Sequence, residues 1–198
     1  MQYVSSEFSC QNEIKKSTFI AHIVPINSFD ALHVKLKEKY PKARHIVWAK
    51  RYLNEFEQIV ENCSDDGEPK GTSGPPLLNV MRGSELIECG ILVVRFFGGI
   101  KLGTGGLVRA YGGVAKDVIT TAQIIPYIKR EEIVFSTIYS LVPRFEHFIN
   151  KEALHVKSKS YEASDVIWSL SLSEEEEKNF LAFSSLFERD GFNLRVSD

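Results

Sequence analysis

Residues 98–113 read GGIKLGTGGLVRAYGG, and they hold seven of the thirteen glycines in the chain. Glycine loses more backbone freedom on folding than any other residue. A folded chain that concentrates it must gain something there: a bound anion, a close neighbour or a flexible tether. The stretch follows CGILVVRFF (89–97), a continuous apolar run that reads as a strand buried on both faces. Thr104 is positioned to cap a helix from about 105 to 123, with the N–H groups of Gly105, Gly106 and Leu107 pointing out of its N-terminus. Such an end behaves as about half a positive charge and accepts anions.

At 100° per residue, Leu107, Val108, Tyr111, Val114, Ala115, Val118 and Ile119 share one broad face of that helix. Arg109 and Lys116 lie on the opposite face, flanking Gly112 and Gly113. Two interior helix glycines cost roughly 1 kcal/mol each. Between Glu88 and Asp117 the chain carries Arg95, Lys101, Arg109 and Lys116 and no carboxylate. The local charge therefore permits a phosphate site, although the net charge of −2 predicts no strong general affinity for nucleic acid. The segment is not a Walker A loop, because Thr104 stands where that loop needs lysine. Nor is it a dinucleotide fingerprint, because Val108 holds the third glycine position.

A second loop precedes it. SDDGEPKGTSG (64–74) brings Asp65, Asp66 and Glu68 within four residues, enough hard oxygen for Mg²⁺ bridging to a phosphate, with Lys70 nearby. The structural alternative is a polar turn on Asp66-Gly67 with local side-chain capping. His45 is a candidate ligand-binding residue on an expected strand, and Ser73 lacks the final glycine of a nucleophile elbow.

The remaining pattern is α+β. KSTFIAHIVPI reads as a strand with Phe19, Ala21 and Ile23 alternating, and Ser28 as the cap of a helix over 29–40. Residues 43–53 and 56–62 form an expected hairpin, and Leu77–Arg82 a short helix with Pro76 in its first turn. Residues 1–130 hold 17 Lys/Arg against 13 Asp/Glu, whereas 131–198 hold 7 against 13. The boundary is expected near 130, before a βαββαβ order that predicts a ferredoxin-like domain ending in the strand FNLRV. The acidic run Glu174–Glu177 reads as a capped helix start, with Ser173 as N-cap and Glu176 completing a capping box. Three scattered cysteines, no leader pattern and no long apolar run predict a reduced, cytoplasmic protein without a membrane partner.

The blocks SDDGEPKGTSG and VVRFFGGIKLGTGGLVRAYGG, with ARH ending at His45, resemble the signature of the IMPACT family of translation-regulation proteins. The resemblance is to the prokaryotic two-domain form. It implies an N-terminal α/β domain (1–130) like the second domain of a small-subunit ribosomal protein. It also implies a C-terminal ferredoxin-like domain (131–198) similar to the last domain of elongation factor G. Eukaryotic relatives restrain the amino-acid-starvation kinase through an extra N-terminal domain, which this sequence is expected to lack. Position 75, commonly basic in relatives, is Pro75.

The expectation is a translation-related protein holding RNA, ribosomal or nucleotide phosphates with Arg95, Lys101, Thr104, Gly105, Gly106, Arg109, Lys116, Lys70 and His45. Four cations on a single strand imply a salt slope of about −3. Two alternatives accompany it: a Mg²⁺-assisted hydrolase of a nucleotide or phosphoester using Asp65, Asp66 and Glu68, and a module docking on a protein at the ribosome.

Overall fold

The computed structural model describes residues 1–195. Among the described residues the chain is mixed α+β, with five α-helices and three sheets, and divides into two compact units at Tyr127 and Ile128.

In the first unit a five-stranded antiparallel sheet runs in the order β2-β3-β6-β4-β5. Its strands are β2 (Phe8–Ile14), β3 (Ser17–Pro25), β4 (His45–Leu53), β5 (Ile59–Ser64) and β6 (Cys89–Phe96). β6 is central because it is apolar on both sides. Ile91 and Val93 face α2 (Gly74–Gly83) and α3 (Thr104–Thr121), while Leu92 and Val94 face α1 (Ile26–Lys39). Its neighbours in the sheet are antiparallel, so a two-sided apolar strand here needs no parallel sheet, only helices on both faces. Phe19, Ala21 and Ile23 of β3 are fully buried under α2 and α3, as their alternation predicts. A short ribbon, β1 (Gln2–Val4) with β7 (Ile124–Pro126), closes the unit.

Two local expectations are corrected, and one strand was not expected. α1 starts at Ile26 with Pro25 as N-cap, and the Ser28 hydroxyl bonds Asn27 instead of capping. On α3 the buried face includes Ala110, whereas Val108 is 41% exposed. β2, a polar edge strand, has no counterpart in the sequence expectations.

The second unit has the order β8 (Glu131–Ile138), α4 (Val142–Lys151), β9 (His155–Tyr161), β10 (Asp165–Leu172), α5 (Glu174–Ser184) and β11 (Phe192–Arg195). Its sheet runs β11-β8-β10-β9, all antiparallel. The core is aromatic: Phe135 lies against Phe145, Trp168, Phe180 and Phe192, with centroids 4.8–5.9 Å away. The expected last strand is present up to Arg195, and its Val196 lies outside the described residues. No helix among the described residues is long and apolar enough to cross a membrane.

Candidate functional site

The glycines begin the site. A Cβ on Gly98 would lie 1.9 Å from the Lys16 carbonyl oxygen, so this glycine lets the strand end pass beneath the β2–β3 turn. Its N–H donates to Ser17 Oγ at 3.2 Å, which pins the loop at one end. Gly103, at the other end, has φ +73° and open space around it. It is the N-cap of α3, and no side chain caps the helix. Thr104 is thus the first helical residue rather than the cap. Leu107 N–H closes onto the Gly103 carbonyl at 2.9 Å, so the free donors belong to Thr104, Gly105 and Gly106.

This helix start opens on a cleft of about 590 Å³. Gly103, Thr104 and Leu107 form one wall. The loop residues Gly67, Glu68 and Pro69 form another, joined by Arg44 and His45 from the start of β4. Arg95 and Phe97 rise from the end of β6, and Lys101 and Leu102 complete the rim.

Arg95 is 6% exposed, and its charge is answered by Glu68, 8% exposed, through an Nη1–Oε1 contact of 2.6 Å. The Tyr111 hydroxyl donates to the same carboxylate oxygen at 2.7 Å. Burial, reinforced by the Glu68 charge, pushes the Tyr111 phenol well above its ordinary pKa, so it stays protonated and keeps donating. The guanidinium also lies 5.5 Å from the Phe19 ring and 5.8 Å from the Phe97 ring. Arg95 Nε–H is buried and has no acceptor among the described residues. A donor in that state is unusual in a folded protein and demands an explanation.

His45 Nδ1 lies 2.7 Å from the Asp66 carbonyl oxygen. A carbonyl only accepts, so Nδ1 carries a proton, and whenever the ring is neutral Nε2 is the acceptor.

The loop carboxylates are not gathered for a metal. Asp65 accepts the N–H groups of Gly71, Ser73 and Gly74 at 2.7–2.9 Å, which caps α2 from a distance. Asp66 accepts Ile46 N–H at 2.6 Å, and Glu68 turns inward to Arg95 and Tyr111. The expected set Asp65, Asp66 and Glu68 thus points three ways, and no cluster of three His, Cys, Asp or Glu among the described residues could hold a metal ion. Ser73 is fully buried beside Asp65.

Of the expected anion ligands, the structure brings His45, Arg95, Lys101 and Thr104 to one cleft, with Gly105 and Gly106 in the same helical turn. Arg109 lines an adjacent depression of about 190 Å³ with Lys15, Leu102 and Gly106. Its Nη1 leans back over Gly105, 3.6 Å from where a Cβ would sit. Lys70 is exposed on the loop and does not line the cleft. Lys116 is exposed twelve residues along α3, about 18 Å of helix rise from Thr104, and does not join the group. Gly112 faces Val80 of α2, so that part of the glycine strip serves helix packing. Arg44 and Phe97 complete the site without having been expected; Arg44's only sequence signal is its place beside His45.

Residues 15–119 match the model of the Impact N-terminal domain family. An IMPACT family member of Haemophilus influenzae is 34% identical over 178 residues, covering 88% of this chain and 84% of the relative. The Escherichia coli IMPACT family member YigZ is 44% identical over 106 residues, 51% of each chain. The chain is similar throughout to a solved structure described as a hypothetical protein, with a TM-score of 0.70 and 27% identity, covering 100% of this chain and 97% of the other. The chain therefore belongs to the IMPACT family.

Proposed function

We propose that this is a cytoplasmic, translation-linked protein that binds RNA or nucleotide phosphates in the cleft at the start of α3. One coincidence carries the reading. A helix start with three free N–H donors and no acidic residue in its first turn opens on the same cleft as a buried arginine with an unanswered N–H. Lys101 and Arg44, exposed on the rim, supply further positive charge. The link to translation rests on the family. The finer fold reading belongs to the same proposal: a ribosomal-protein-like first unit and a ferredoxin-like second unit, the latter supported by its βαββαβ order.

Fluorescence anisotropy with a short oligoribonucleotide tests it. With Arg95 neutralised by Glu68, and Lys116 distant, the phosphate contacts reduce to about three: Arg44, Lys101 and Arg109. The slope of log affinity on log salt should then be about −2, a loss of roughly 15-fold between about 50 and 200 mM salt. Lys101→Glu should weaken binding at least about tenfold. Absence of binding at low salt, or affinity indifferent to salt, defeats the proposal. The proposal does not call on Mg²⁺: Asp65, Asp66 and Glu68 each accept backbone or side-chain donors within the protein.

A further inference from the structure

Resting on that reading, we infer that the cleft takes a terminal phosphate monoester of a nucleotide, with the base against Phe97, rather than an internal phosphodiester of a continuous strand. The charge favours it. Arg44, Arg95 and Lys101 against Glu68 give the cleft a formal charge of +2, histidine not counted. A monoester carries about −1.5 to −2 near neutral pH and presents three oxygens, whereas a diester carries one charge and presents two free oxygens. The uncapped start of α3 at Thr104, the Lys101 ammonium and the Arg44 guanidinium supply donors for three oxygens.

The remaining wall fits the rest of a nucleotide. Phe97 is 46% exposed, with Arg95 near its ring, so it offers a stacking surface to a base. His45 Nε2 gives this donor-rich cleft an acceptor suited to a hydroxyl or a base N–H. A volume of about 590 Å³ is that of a site for one small molecule rather than a track for a polymer. The shallow depression beside it, with Lys15 and Arg109, shares Leu102 with the cleft and would receive the next phosphate if the nucleotide ends a strand.

The test is calorimetry on the full chain with one oligoribonucleotide sequence prepared with a 5′-phosphate, a 3′-phosphate or hydroxyl ends, alongside nucleoside monophosphates and inorganic phosphate. One of the phosphorylated ends should bind at least about tenfold tighter than the hydroxyl form. Thr104→Glu, with its fold checked by circular dichroism, should abolish that difference. Phe97→Ala should weaken a nucleoside monophosphate about tenfold and leave inorganic phosphate unchanged. Arg109→Ala separates the sources: it weakens only the oligonucleotide if the natural ligand is a strand end, and neither if it is a free nucleotide. Equal affinity for phosphorylated and hydroxyl ends overturns the inference while leaving phosphate binding intact. No binding of any nucleotide or oligonucleotide overturns both.

Discussion

Helices α3 and α5 begin in opposite ways. α5 has Ser173 as N-cap, a reciprocal bond from Ser173 N–H to Glu176, and four glutamates in its first turn. Its donors and dipole are answered within a few residues of chain. α3 has a glycine at the same position, no side-chain cap and no acid in the first turn. α2 stands between them, capped by Asp65 from across a loop. A closed helix start is a matter of stability. An open one facing buried and exposed cations leaves unused interaction free energy, which a ligand can take up. The acidic run at 174–177, the more conspicuous motif, is thus structural, and the uncapped glycine start carries the candidate site.

That contrast can be broken at several points. The largest effect is expected beneath the open end. Glu68→Ala strands Arg95 as a buried unpaired charge and should cost about 3–5 kcal/mol, read as a fall in the urea midpoint of the first unit. Replacing both partners by methionine should recover much of that loss. At the remotely capped end, Asp65→Ala releases three N–H groups and should cost about 2 kcal/mol, against about 1 kcal/mol for Ser173→Ala at the locally capped end. Equal losses would show that reach adds nothing to the cap. Smaller still, Thr104→Glu supplies the acid that α3 lacks. It should stabilise by about 0.3–1 kcal/mol while nucleotide affinity falls, so that stability and binding move in opposite directions. A variant that loses both would mean the open end is not where the ligand sits.

The smallest effect is a dependence on pH. Burial lowers the His22 pKa, outweighing the opposing pull of Glu7. The folded state therefore favours neutral His22, and the unfolded chain takes up the proton first as pH falls. The contribution is fully present above about 6.5, the ordinary histidine value, and is lost as pH drops below it. His22→Gln should flatten the stability profile on that acid side.

The sequence carried what is local and lost what is distant. β6 was legible from nine consecutive residues, and the capping box of α5 from four. α3 was placed to within two residues at each end, but its cap was missed because threonine is a common N-cap whereas Gly103 acts through a positive φ. The three loop carboxylates looked like one cluster. Their partners, Ile46, Arg95 and Tyr111 among them, lie 20, 27 and 43 residues away, and no spacing rule reaches that far. Edge strand β2, FSCQNEI, carries too few apolar residues to announce itself. Arg109 and Lys116 were aligned correctly on one helix face, yet only the first lies near the site, because a shared face says nothing of distance along the axis.

The central place of β6 also bears on how this molecule is made. It is the strand that joins the β2–β3 hairpin to the β4–β5 hairpin, through Thr18–Pro25 on one side and His45–Arg51 on the other. During synthesis, therefore, both hairpins and α1 emerge before the piece that unites them. At about 5–20 residues per second, the early hairpin waits several seconds for its partner. The first unit should acquire protease resistance abruptly, once residues up to Phe96 and the covering α3 have left the ribosomal tunnel, rather than by gradual accretion.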